Sequence, residues 1–195
     1  LKQQIEVTAA IAMEVKKCEE AAIKGDSEKQ FLAAVIHYKG QAVKQNFAEA
    51  FKFFKLAATK EHTESEFFLG DMSLNGQGTA QNDKEALSYF QLAAAKEHSQ
   101  AQYMLGVIFE RGKGTKEDFK EAMRCYKLAA KKDNADAMYG LGGMYENSHG
   151  VEQDDVEAVR WYKLAAQHKH KEAYFRLGVI YSKGNTIKKD FYCLS

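Results

Sequence analysis

A chain of 195 residues with 45% hydrophobic content carries enough apolar material to bury a core, which excludes a wholly disordered polymer. Twenty-eight basic residues against 27 acidic ones leave a formal charge of +1, so no global field draws it to nucleic acid, a membrane surface or a polyanionic substrate. Its apolar runs fall far short of the roughly 20 residues needed to cross a bilayer, and no direct membrane insertion is expected.

From the start of the chain, Leu1 to Lys24 reads as an amphipathic helix through Ile5, Ala9, Ala12 and Met13, a candidate N-terminal cap. Residues 1–26 carry charges throughout and do not read as a secretory signal. Beyond it the chain repeats. Ala34, Gly70, Gly106, Gly142 and Gly178 lie 36 residues apart, as do Ala50, Ala86, Ala122 and Ala158. Leu56, Leu92, Leu128 and Leu164 keep the same step, each followed by Ala-Ala. A strict period of this length means stacked supersecondary units. We therefore divide a single repeat domain, 1–195, into a half unit (1–28), full repeats 29–64, 65–100, 101–136 and 137–172, and a partial repeat 173–195.

Each repeat holds two helical patterns. In 101–136, Ala101, Leu105, Ile108 and Phe109 share one helical face, which defines helix A. Arg111-Gly112-Lys113-Gly114 breaks it. Asp118 is placed to start helix B, whose stripe is Ala122, Tyr126, Ala129 and Ala130; Lys132-Asp133-Asn134 then leads into the next repeat. Neither helix is long enough to stand alone, so neighbours must supply the core. Small residues at fixed places, such as Gly106 and Ala122, predict close A–B contact.

Other chemistry is thin. Cys18, Cys125 and Cys193 form no C-x-x-C pair, read as free thiols, and favour a reducing compartment, without excluding periplasm or endoplasmic reticulum lumen. His62, His98 and His170 share a register in the B-to-A link, but stacked units about 10 Å apart cannot bring them within the ~2.3 Å of one metal ion, so they read as solvated loop residues or helix caps. The glycine loops lack the strand that precedes a phosphate-binding loop, and Asp154-Asp155 reads as a helix start. No catalytic residue, metal or cofactor is expected.

The pattern A-x-x-x-L-G-x-x-Y-x-x-G-x-G-V/T-x-x-D-x-x-x-A-x-x-x-Y-x-L-A-A, seen best in 101–130 and 137–166, resembles the Sel-1-like repeats, relatives of the tetratricopeptide repeats. Departures are Ala33-Ala34 for Leu-Gly, Ser73 for an aromatic and Ser148 for a loop glycine. The resemblance implies an all-α fold, a right-handed superhelical solenoid of antiparallel helix pairs, used as a scaffold or adaptor that binds proteins on a concave groove lined by the A helices. Tyr103 lies about 160° around its helix from Leu105, and an aromatic recurs there as Phe31, Phe67, Tyr139 and Phe175. With Val107, Glu110 and Glu146 one or two turns on, these are the candidate groove residues, with Gln102, Arg111, Asn147 and Lys183 at the rim. The competing expectation is that the rings pack against the neighbouring helix A.

The resulting expectation is a non-enzymatic scaffold for a protein or peptide partner. The alternative is a substrate-recruiting or regulatory segment of a larger enzyme or secreted bacterial effector, motivated by the incomplete first and last repeats. An A helix near 173–183 without its B helix also predicts end-to-end self-association through the C-terminal repeat.

Overall fold

The computed structural model describes residues 2–40 and 43–182, with side chains from Met13 onward. Among them it is helical throughout: α1 (Lys2–Ile23), α2 (Ser27–Lys39), α3 (Phe47–Ala58), α4 (Thr63–Asn75), α5 (Asp83–Ala95), α6 (Ser99–Arg111), α7 (Phe119–Ala130), α8 (Ala135–Glu146), α9 (Asp155–Gln167) and α10 (Lys171–Ser182). Even-numbered helices are the A type and odd-numbered the B type. The chain forms two compact units, Leu1–His98 and Ser99–Ser195. Within each, consecutive helices pack on one another, from α1 to α5 and from α6 to α10. Of the residues singled out in the sequence, Lys183 and Cys193 lie outside the described residues, as do the side chains of Ile5, Ala9 and Ala12.

Four of the B helices, α3, α5, α7 and α9, start on one recurring device. Asn46, Asn82, Asp118 and Asp154 are the N-caps of α3, α5, α7 and α9, and their side-chain oxygens accept from the amides of Glu49, Glu85, Glu121 and Glu157. The cap satisfies an amide that has no intrahelical acceptor, and the glutamates put negative charge at the positive helix end. Asp118 and Asp154 therefore start helices, as the sequence predicts.

The seam between the helices of a pair is a ring laid on a glycine. A Cβ at Gly70 would lie 2.8 Å from the Phe90 ring, one at Gly106 2.4 Å from Tyr126, and one at Gly142 2.5 Å from Tyr162. Phe90, Tyr126 and Tyr162 are buried by this approach, together with Ala86, Ala122 and Ala158 on their helices. In the first repeat Ala34 takes the glycine's place and is itself buried, with Phe54. Ser73, which replaces an aromatic, is fully buried. A Cβ at the last glycine of the series, Gly178, would have nothing within 4 Å among the described residues.

The links from B to A are tight and share one backbone feature. Glu61, Glu97, Asp133 and Lys169 sit at φ 59–64°, in the left-handed region, where the first link has Gly25 at 98°. Ser148 likewise adopts φ 59° in the place where Gly76 and Gly112 turn the chain, so the missing loop glycine leaves the turn intact. A lysine one repeat on braces the link in the first unit: Lys60 Nζ donates to the Gly25 carbonyl, and Lys96 Nζ to that of Glu61 at 2.8 Å.

The seam predicts opposite outcomes for one substitution at two positions. Gly106→Ala forces a methyl group into the Tyr126 ring and should lower unfolding free energy by roughly 1–3 kcal/mol. Gly178→Ala meets open space and should raise it by about 0.5–1 kcal/mol through helix propensity. Urea unfolding of both variants checks this; equal effects would contradict the seam.

Candidate functional site

The aromatic register of the A helices is not fully solvated, and it rests on the B helices rather than mainly on the neighbouring helix A. In the second unit Tyr103 lies 5.8 Å from the ring of Tyr126, and Tyr139 5.3 Å from Tyr162 and 4.7 Å from His170, stacked. In the first, Phe31 stands 5.9 Å from Phe54 and stacks on His62 at 4.6 Å, while Phe67 stands 5.8 Å from Phe90 and stacks on His98 at 4.8 Å. Each ring thus rests on the aromatic of its own repeat's B helix, and except at Tyr103 it also stacks on a histidine of the following link. All four remain half-buried, as does Val107. Phe175 is different: it is 73% exposed and Tyr174 beside it 57%.

The link histidines owe their position to these rings. His62 is the N-cap of α4, its Nδ1 accepting from the Ser65 amide at 3.2 Å; His170 Nδ1 does the same for Ala173 in the first turn of α10. An Nδ1 that accepts puts the proton on Nε2, which faces Glu28 at 3.8 Å in one case and Asp136 at 3.2 Å in the other. His98 Nε2 is 3.1 Å from Glu64. With side chains only 16%, 14% and 11% exposed, all three are packed, and the expectation of solvated loop residues is corrected in favour of the cap at His62 and His170 and of stacking on Phe67 at His98. Asn134 fills the fourth position as the cap of α8.

The candidate groove carboxylates of the second unit are held by tyrosines. Tyr126 Oη donates to Glu110 Oε2 at 2.7 Å, and Tyr162 Oη to Glu146 Oε2 at 2.7 Å. Glu110 Oε1 also lies 3.2 Å from His149 Nδ1. Glu146 is clamped by Arg176, with Nε at 2.9 Å and Nη2 at 2.6 Å, a bidentate guanidinium pair. Of the rim candidates, Arg111 and Asn147 are exposed, whereas Gln102 is buried and does not reach a rim.

The first unit carries a related carboxylate that the repeat pattern does not single out. Asp71 Oδ2 accepts from Tyr38 Oη at 3.4 Å and Oδ1 from Asn75 Nδ2 at 3.0 Å. Burial pushes this carboxyl above the ordinary carboxylate range, against the pull of those two donors. Its one signal in the sequence is a lone charge in a register otherwise held by Val35, Val107, Gly143 and Val179.

No group of three or more metal-ligating side chains occurs among the described residues, and none of their helices is long and apolar enough to cross a membrane. Cys18 and Cys125 are free and buried, and burial pushes the Cys125 thiol up to about 11, far from a nucleophile at neutral pH.

A family model described as Sel1 repeat matches residues 30–62, 63–98, 99–134, 135–170 and 171–192. Among solved structures, a protective antigen of uropathogenic Escherichia coli displaying an SLR fold is 29% identical, with a TM-score of 0.82 over 87% of this chain and 36% of its own. The chain thus spans about a third of that relative's length. A Sel1 repeat protein from Oxalobacter formigenes is also 29% identical, with a TM-score of 0.82 over 87% of this chain and 70% of its own. Helicobacter pylori cysteine rich protein B shares the fold at 20% identity and a TM-score of 0.53, over 64% of this chain and 92% of its own. No curated protein sequence matches significantly.

The buried tyrosines predict an alkaline limit. Burial and the facing glutamates hold the hydroxyls of Tyr126 and Tyr162 well above their ordinary value, and burial raises Tyr103 as well. Their contribution to stability is fully present below about pH 10, where unfolded tyrosine stays neutral, and is lost as pH rises beyond it. Phenolate absorbance and helical circular dichroism followed together should show a shared step above pH 10, shifted upward in the Tyr126→Phe, Tyr162→Phe double variant. Ionisation of these rings with the helices intact would contradict the burial.

Proposed function

The chain belongs to the Sel1 repeat family, whose members serve generally as protein-interaction scaffolds and are typically non-catalytic, and we propose that it binds a partner polypeptide along the A-helix face of its repeats. The observation that carries this reading is the half-buried aromatic register. In the second unit Tyr103 and Tyr139 mark α6 and α8, with Val107, Glu110 and Glu146 beside them, and the exposed Phe175 continues the register on α10; in the first, Phe31 and Phe67 mark α2 and α4. The four half-buried rings, already fixed by B-helix aromatics, lose little entropy on binding and offer apolar area at low ordering cost, the property of interface anchors. Carboxylates tied to buried tyrosines add fixed acceptors for orienting a partner.

Because the rings also hold the fold, truncation to alanine confounds binding with stability. A photoreactive benzoylphenylalanine at Tyr139 or Phe175 retains a ring, and should crosslink a partner polypeptide several-fold more than the same group at Lys127 or Lys163 on the exposed faces of α7 and α9. Crosslinking confined to the B-helix positions would end the reading.

Self-association is a second proposal, supported by α10. Tyr174 and Phe175 are exposed, and among the described residues Gly178 meets nothing where each corresponding glycine meets a ring. Sedimentation velocity should show mass rising with concentration, abolished by Phe175→Asp; a concentration-independent monomer would end the proposal.

A further inference from the structure

A carboxylate in a partly dry site is destabilised until a cation meets it, and the molecule shows how it solves this in its second unit. Glu146, held by the Tyr162 hydroxyl, takes the guanidinium of Arg176 in a two-point clamp; Glu110, held by the Tyr126 hydroxyl, takes His149. In both cases a tyrosine fixes the carboxylate; a guanidinium cation closes the site at Glu146, and an imidazole nitrogen closes it at Glu110.

The first unit has the same half of the arrangement without the other. Asp71 on α4 is held by the Tyr38 hydroxyl from α2 and by Asn75 one turn on, so both oxygens are oriented. No ion pair to Asp71 exists among the described residues; its polar partners are Tyr38 and Asn75, both neutral. Rings stand beside it: Phe68 packs edge-on to Tyr38 at 5.4 Å and reaches Phe31 at 6.2 Å, and all three are half-buried. We propose that Tyr38, Asp71 and Asn75 form a recognition site for an arginine side chain of the bound polypeptide, the guanidinium bridging the Asp71 oxygens beside the Tyr38 ring.

Arginine fits better than lysine on three counts. Its planar fork matches two oriented carboxylate oxygens, as Arg176 does on Glu146, whereas an ammonium offers a single point charge. Its flat face stacks on aromatic rings while its edge donates. It is also the more weakly hydrated cation, suited to a site where burial already raises the carboxyl. The inference rests on the A-helix face being the binding surface, and adds to it a residue type and a place.

The test pans phage-displayed random dodecapeptides on the whole chain and on Asp71→Asn, whose amide keeps the shape and an acceptor for Tyr38. Peptides selected on the native chain should be enriched in arginine, lose about tenfold or more in affinity on Asp71→Asn, and lose as much when that arginine is replaced by citrulline. The citrulline arm needs no change to the protein, and an unchanged melting temperature shows that Asp71→Asn folds. Peptides that crosslink to a benzoylphenylalanine at Phe67 yet show no arginine dependence would overturn the site while leaving the binding face standing. Peptides that crosslink only on B-helix positions, or no enrichment at all, would overturn both.

Discussion

The whole molecule depends on how closely two helices can approach, and that distance is set where a ring lies flat on a glycine. Gly70 under Phe90, Gly106 under Tyr126 and Gly142 under Tyr162 leave no room even for a methyl group. The ring then spans the seam and touches the A-helix aromatic on the far side: Phe67 on Phe90, Tyr103 on Tyr126, Tyr139 on Tyr162. Core and candidate surface are therefore one continuous stack. The glycine brings the ring in, and the ring fixes the side chain that solvent sees.

A second constraint follows from the chemistry of that ring. Phenylalanine needs nothing at its tip, but a buried tyrosine needs a hydrogen-bond acceptor. Where the B helix carries Tyr126 or Tyr162, the A helix supplies Glu110 or Glu146. Where it carries Phe54 or Phe90, the same A-helix register holds Tyr38 or Leu74. Much of the polarity on the A face is thus a consequence of packing beneath it, and the two units expose different chemistry although they share a repeat. The first presents more carbon and, among the described residues, a carboxylate without an ion-pair partner; the second presents carboxylates already joined to Arg176 and His149.

The helix pairs were legible in the sequence because the 36-residue step puts glycine, alanine and Leu-Ala-Ala in register, and a small residue recurring at one helical position marks a place where two backbones come close. Asp118 could be placed as a helix start from its position alone. The wider rule, Asn or Asp followed three residues on by Glu at 46, 82, 118 and 154, was present and informative. The site was less legible. Helical periodicity places Tyr103 away from Leu105 but does not show that its ring leans onto Tyr126, because that depends on the approach distance across Gly106. His62 and His170 read as link residues, and their capping role emerges only from Nδ1 atoms set against the amides of Ser65 and Ala173. Asp71 is visible as a charge among valines, but its significance lies in what does not pair with it, which only the folded arrangement reveals.

The links at Glu61, Glu97, Asp133 and Lys169, and the turn at Ser148, place ordinary side chains in a backbone conformation that disfavours them by roughly 1–2 kcal/mol each. Glu61, Glu97, Asp133, Lys169 and Ser148 stand directly before His62, His98, Asn134, His170 and His149, each a capping or ring-stacked residue, so a glycine at the strained position relieves the joint itself and leaves the neighbouring side chain its partners. The molecule holds a reserve of latent robustness, dispersed one small portion per joint. Lineages that draw on it can tolerate otherwise damaging changes on the A helices, which makes the joints a source of evolvability for the surface they connect.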